Sequence, residues 1–272
     1  ARYTLAERYH QPVPDLLPAH WLPNRWGQGW EEMITVEGLD LDAALAGKSP
    51  EWLVKQAERF YVSLGYPELP KTFWERSSLY PLEPGASYRK NNHASAWHLD
   101  LESDLRSLMS VENNTRWYGT THHELGHIYY FMAYTRKEVP PLLRGGANRG
   151  FHEAVGTLMR NAAVQKPFAE GIGLVMGDIQ VDPMQALLKE ALDAVVFIPF
   201  STGVMTHFEW ELYAQPLDID VYNERGWVLK AKYQGIAFEL SKGGVCRRHV
   251  KTHINNDAAQ YYDYAISNVL VA

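Results

Sequence analysis

The stretch Tyr118-Gly119-Thr120-Thr121-His122-His123-Glu124-Leu125-Gly126-His127-Ile128-Tyr129-Tyr130-Phe131-Met132-Ala133-Tyr134 decides the reading of this chain. Its apolar residues recur at helical spacing, with Ile128, Phe131 and Met132 as core candidates. A helix is therefore expected from Tyr118 to Tyr134, closed off by Pro140 and Pro141. Inside it, His123-Glu124-Leu125-Gly126-His127 is an H-E-x-x-H pattern. Residues four apart share a helix face, so both imidazoles can reach one metal ion. Glu124 lies about 100° round the helix, where it can face a metal-held water without binding the metal itself. Zinc bound by two His and one carboxylate keeps a fourth position open, and it lowers the pKa of water held there. Chance alone yields the pattern in about 3% of chains of this composition, so its surroundings must support it.

A third ligand has to come from elsewhere. Ile128, Tyr129 and Tyr130 follow His127, so the His-x-x-Gly-x-x-His continuation of the metzincins is absent. Beyond the loop with Gly145, Gly146 and Gly150, a second helix is expected from Phe151 to about Gln165. Glu153, one turn into it, is the best candidate, although a Glu there also suits the N-terminal end of a helix dipole. His152, its neighbour, points about 100° away.

Outward from this centre, the histidines concentrate. Of 11 His in the chain, six lie between His93 and His152, where an even spread would place about 2 or 3. Asn92–Leu99 and Leu105–Val111 read as a pair of antiparallel strands. Ser49-Pro50 caps a helix carrying Trp52, Leu53, Gln56, Phe60 and Leu64, with Gly65 as its stop. Asp182-Pro183 caps another, with Leu187, Leu188, Ala191, Leu192 and Val195 on its apolar face. Trp26–Ile34, Phe208–Ala214, Trp227–Gln234 and Ala258–Val271 also read as helices. Pro12, Pro14, Pro18 and Pro23 keep the opening extended or in short turns. No linker or repeat divides the chain.

The 272 residues suffice for a sizeable core. They are 46% hydrophobic and 21% charged, which fits a globular chain rather than a disordered or collagen-like one. Lys and Arg number 26 against 32 Asp and Glu, giving −6, with no basic block, so nucleic acid is not an expected partner. The apolar run near Ala194–Phe200 is too short for a membrane span, and none is expected. Cys246 stands alone, so no internal disulfide is expected. Ala1 in place of Met points to a processed, trimmed or partial chain.

At the motif residues the chain resembles the angiotensin-converting-enzyme family of zinc peptidyl-dipeptidases, which are of gluzincin type. His122-His123-Glu124-Leu125-Gly126-His127-Ile128, Arg144-Gly145-Gly146-Ala147-Asn148 and Gly150-Phe151-His152-Glu153-Ala154 carry the resemblance. Trp26-Gly27-Gln28-Gly29-Trp30, His93-Ala94-Ser95-Ala96-Trp97, Lys232-Tyr233-Gln234-Gly235-Ile236 and Lys251-Thr252-His253-Ile254 extend it over almost the whole chain. It implies a mainly α fold: a helical zinc-peptidase half-domain with a short antiparallel β element beside the H-E-x-x-H helix. Residues 1–272 would be one catalytic region, the C-terminal half of a larger peptidase domain, with the other half as a partner.

The resemblance implies Zn2+ held by His123, His127 and Glu153, with Glu124 as general base. It implies that His93 and His253 hydrogen-bond the substrate backbone, that Ala94 and Ala96 lie on an edge strand pairing with it, and that Tyr264 stabilises the oxyanion. Gln28, Lys251 and Tyr261 would grip the substrate's C-terminal carboxylate. The partner is thus an oligopeptide with a free C-terminus, in a secreted or periplasmic setting. Each residue also has a plainer reading. Gln28 suits a polar helix position, Lys251 a solvated basic face beside Arg247, Arg248 and His249, Tyr261 and Tyr264 a core, and His93 a strand.

The chain departs from the family in places. Thr157 stands where a carboxylate usually supports a zinc histidine, and His98 replaces an Asp. Asp263 and Lys230 replace Arg residues that help bind activating chloride, so little chloride activation is expected. A grip two residues beyond the scissile bond would release dipeptides. The alternatives are a single-residue zinc carboxypeptidase and a catalytically incomplete peptide-binding fragment.

Overall fold

The computed structural model describes residues 1–24, 26–34, 36, 41–175, 180–215, 217–237 and 252–271. In chain order its helices are α1 (Arg2–Arg8), α2 (Leu41–Leu45), α3 (Pro50–Ser63), α4 (Lys71–Arg76), α5 (Thr115–Tyr134), α6 (Arg149–Ala163), α7 (Lys166–Gly171), α8 (Pro183–Ile198), α9 (Thr206–Ala214), α10 (Tyr222–Gln234), α11 (Thr252–Asn256) and α12 (Asp263–Val271). The strands are β1 (Leu17–Pro18), β2 (Ser95–His98), β3 (Leu105–Leu108) and β4 (Ile236–Ala237). The fold is mainly α, as expected. It forms two compact units: a first of Ala1–Val36 with Asp182–Asn268, and a second of Glu37–Val181 with Val269–Ala272.

The second unit is built on α5 and α6. Each begins at an Asn whose side chain accepts a backbone N–H from the first turn, Asn114 from Trp117 and Asn148 from Phe151, the ordinary N-cap device. These caps start the helices at Thr115 and Arg149, ahead of the Tyr118 and Phe151 that apolar spacing alone marks. Helices α5 and α6 meet at two glycines. A Cβ on Gly126 would lie 2.7 Å from Gly156 Cα and 3.1 Å from Tyr61 Oη, and one on Gly156 would lie 2.8 Å from His123 Nδ1. The glycines therefore admit the opposing helix, a tyrosine hydroxyl and a histidine ring.

Behind this crossing, Leu125, Ile128, Tyr118 and Tyr129 of α5 pack with Leu53, Val54, Ala57, Phe60 and Tyr61 of α3. Each large side chain buried this way contributes about 1.5–3 kcal/mol. Tyr61 stacks on Tyr129 at 4.3 Å and donates its hydroxyl hydrogen bond to the His122 carbonyl at 2.6 Å. Strands β2 and β3 pair antiparallel, with Ser95 opposite Leu108 and His98 opposite Leu105, inside the limits the sequence suggested.

In the first unit, β1 pairs parallel with β4. Two apolar clusters fill it, one around Leu5, Leu17, Trp21, Trp30 and Ile236, the other around Phe200, Phe208, Leu229 and Tyr261. Three sequence expectations are corrected here. The opening contains helix α1 ahead of its prolines. Trp26–Ile34 is not an α-helix, because Gly27 and Gly29 both take φ of 72°, and only a short 3-10 turn at Trp30–Met33 remains. Ala258–Val271 is helical only from Asp263, since Ala259 at φ 58° sits in the left-handed region that ends a helix.

Helix α8 is capped by Asp182 as expected, but Leu187, Leu188 and Val195 of its apolar face are exposed, while Leu192 packs inward. Past Pro199 the helix loosens into a π-turn, Pro199–Met205, before α9. By length and composition alone, Pro183–Ala214 could cross a membrane, and 33% of its most apolar window is buried within the structure.

Candidate metal centre

The sequence spacing of His123 and His127 becomes a geometric fact on α5. Their Nε2 atoms lie 3.1 Å apart. From α6, Glu153 Oε2 lies 3.3 Å from His123 Nε2 and 3.9 Å from His127 Nε2. Among the described residues these three form a group whose ligand atoms all lie within 4.8 Å of one another. Zinc–nitrogen bonds of about 2.0–2.1 Å in a tetrahedral site place ligand atoms roughly 3.3 Å apart, so the triangle fits such an ion.

Charge balance supports the same fit. Glu124 is buried, and its Oε2 has no hydrogen-bond partner among the described residues. Burial pushes its carboxyl up to about 7, with the His123 charge opposing and the Glu153 charge adding to the shift. Burial works against a proton on His123, yet the hydrogen bond and charge of Glu153, with Glu124, leave that imidazole raised. Burial depresses His127 to about 3. A buried carboxylate and a half-buried one beside two imidazoles make a site that a divalent cation would neutralise.

His152, adjacent to Glu153, does not join the triangle. It turns to the far side of His127, with the two Nδ1 atoms 3.2 Å apart, and its Nε2 is 3.1 Å from Tyr134 Oη. Its ring lies 4.5 Å from that of Tyr130 and 4.9 Å from that of Phe131. Burial depresses His152 to about 4 and raises the Tyr134 phenol to about 12. Sequence reasoning weighed His152 only as a ligand. The signal it missed is that Tyr130 and Tyr134, a turn apart on α5, flank the imidazole from the same side as His127.

His93 is exposed, and Ala94 and Ala96 are half-buried against the second unit's core. Ala96 lies on β2, whose outer edge has no strand partner among the described residues.

The remaining candidates belong to the first unit. His253 Nε2 lies 3.0 Å from Tyr264 Oη, and the His253 ring meets that of Tyr261 edge-on at 4.8 Å. Tyr261 is buried against Phe200, and its carbonyl accepts the Ser201 hydroxyl from the π-turn. Gln28 sits in a loop pinned by Asn24, whose Oδ1 accepts the Gln28 N–H. The Gln28 Nε2 is buried without a hydrogen-bond partner among the described residues. Lys230 and Gln234 of α10 hold the same loop by donating to the Trp26 carbonyl, each at 3.1 Å. Lys251 lies outside the described residues.

A helix pair presenting two His four apart, a Glu between them and a second Glu from the following helix has the ligand pattern of a metalloprotease centre of gluzincin type. The family model described as angiotensin-converting enzyme, peptidase M2, matches residues 1–271, and the chain belongs to that family. It is 32% identical over 266 residues to angiotensin-converting enzyme of Sus scrofa, covering 93% of this chain and 20% of that protein. The enzyme of Oryctolagus cuniculus is 34% identical over 232 residues, 81% of this chain and 17% of that protein. The chain thus spans about a fifth of the length of the curated relatives it matches.

Proposed function

We propose that this chain carries the zinc centre of a peptidase that removes C-terminal dipeptides from oligopeptides. The observation that carries this reading is the His123, His127 and Glu153 triangle together with the buried Glu124, whose Oε2 has no hydrogen-bond partner among the described residues. His123, His127 and Glu153 would hold the zinc, which when bound would supply Lewis acidity toward a peptide carbonyl and lower the pKa of water. Glu124 takes the proton of the attacking water and returns it to the leaving amine. Tyr264, with His253 on its hydroxyl, donates a hydrogen bond to the oxygen on which negative charge develops. The edge of β2 near Ala94 and Ala96 offers backbone groups to an extended peptide, with His93 beside them. Gln28, Lys251 and Tyr261 take the terminal carboxylate, and that grip sets a dipeptide as the product.

The test is incubation of the zinc-loaded chain with an N-terminally blocked tetrapeptide, the products being weighed by mass spectrometry. The expected result is a free dipeptide, lowered about 10²- to 10⁴-fold by Glu124→Ala. A single released amino acid would reassign the chain as a carboxypeptidase. Bound zinc with no product would make it a peptide-binding fragment.

A further inference from the structure

We propose that His152 is a positioning residue that fixes the tautomer and the ring orientation of His127, through a relay of hydrogen bonds ending on Tyr134. This rests on the reading of His127 as a metal ligand. Its starting point is a constraint on protons. The His127 Nε2 faces His123 Nε2 and Glu153 Oε2, so it must carry a lone pair to bind a metal, and the ring proton must then sit on Nδ1. That Nδ1–H is directed at His152 Nδ1, 3.2 Å away. To accept it, His152 needs its own lone pair on Nδ1 and its proton on Nε2. The Nε2–H then donates to Tyr134 Oη at 3.1 Å. With His127 Nε2 reserved for a metal, one of the two possible directions of the relay remains: Tyr134 oxygen accepts from His152, and His152 accepts from His127.

The packing holds this arrangement in place. The His152 ring stands against Tyr130 at 4.5 Å, Phe131 at 4.9 Å and Tyr134 at 5.8 Å, so it has little room to flip. A Cβ on Gly146 would lie 2.9 Å from His152 Cδ2 and 3.1 Å from Tyr130 Cε1, so the glycine of the preceding loop closes the box from another side. The Tyr130 hydroxyl accepts the Ala147 N–H at 3.1 Å and ties that loop to α5. His152 is thus a neutral imidazole doing what a carboxylate or backbone carbonyl commonly does behind a ligand histidine.

The experiment reads the proton directly. A long-range 1H–15N correlation spectrum of the metal-free chain reports which nitrogen of His127 is protonated, and a chelator competition measures zinc affinity. The expected spectrum shows His127 protonated at Nδ1 and His152 at Nε2. His152→Phe keeps an aromatic ring in the box without nitrogens; it is expected to abolish the tautomer preference and to weaken zinc binding about 10- to 100-fold. His152→Asn, whose amide oxygen can replace Nδ1 as acceptor, is expected to restore affinity to within about threefold. Tyr134→Phe removes only the relay's final acceptor and keeps the test alive if His152→Phe does not fold; it is expected to loosen the His152 tautomer.

Protonation of His127 at Nε2 in the unmodified chain would overturn the proposal, as would unchanged zinc affinity in His152→Phe. A chain that holds the expected tautomers yet takes up no zinc would sink the peptidase reading and leave the relay standing.

Discussion

The two units of this molecule assemble their candidate residues by different means. In Glu37–Val181, the three ligand candidates and Glu124 come from consecutive helices, α5 and α6, joined by one glycine-rich loop. In Ala1–Val36 with Asp182–Asn268, the loop carrying Gln28 is tied to Gln234 across 208 positions of sequence. Helical periodicity alone nearly builds the first arrangement. The second depends on distant segments packing correctly, and single residues such as Gln28 or Tyr261 carry no local pattern.

The contrast can be tested by substitutions that separate metal binding from substrate handling. The largest effect belongs to Glu124→Ala, with dipeptide release down about 10²- to 10⁴-fold and zinc retained. Tyr264→Phe in the other unit is expected to lower kcat about 10²-fold with zinc affinity unchanged, because on the proposed reading it removes one donor to the developing oxyanion. If Tyr264→Phe cost zinc instead, the assignment of Tyr264 to the substrate rather than the metal would be wrong.

A smaller effect concerns packing. Gly126→Ala places a methyl 2.7 Å from Gly156 Cα and is expected to cost about 1–3 kcal/mol in a denaturant melt while weakening zinc binding. Gly203→Ala, which would drive a methyl into the Tyr233 ring of the first unit, is expected to cost a similar amount and leave zinc affinity unaltered. Equal zinc loss in both would erase the contrast.

An effect confined to acid pH is expected at His122. His122 is fully buried, donates from Nδ1 to the Tyr118 carbonyl at 2.8 Å, and is held down to about 4 by burial. The unfolded chain binds a proton there near pH 6.5. Stability from this group is therefore constant above that pH and falls as pH drops from about 6.5 to 4, by roughly 3 kcal/mol. Chemical melts of His122→Phe against the unmodified chain should show that much less acid loss. Parallel acid curves would mean that folded His122 takes up its proton as readily as the unfolded chain does.

Much of the unit with the candidate metal centre was legible from residues alone. H-E-x-x-H fixed a helix and its face, Ser49-Pro50 marked the start of α3, and the short strand pair fell within its expected limits. The helix starts were less legible, because Asn114 and Asn148 act through a side-chain bond that apolar spacing does not register. The segment around Gln28 was misread as helical. Its aromatic spacing suits a helix, but two glycines in the left-handed region let it turn back onto α10. The exposed leucines of α8 show the converse: periodicity reports an apolar face, not whether anything in the described chain covers it.

The sequence by itself determined the candidate ligand types, their spacing on one helix face and the family, because these depend only on residue identity and a fixed 3.6-residue turn. The tertiary structure decided that Glu153 completes the triangle while its neighbour His152 turns to the back of His127. That choice depends on how α6 lies against α5. The angle and depth of the crossing are set by two glycines, Gly126 and Gly156, that let the helices approach.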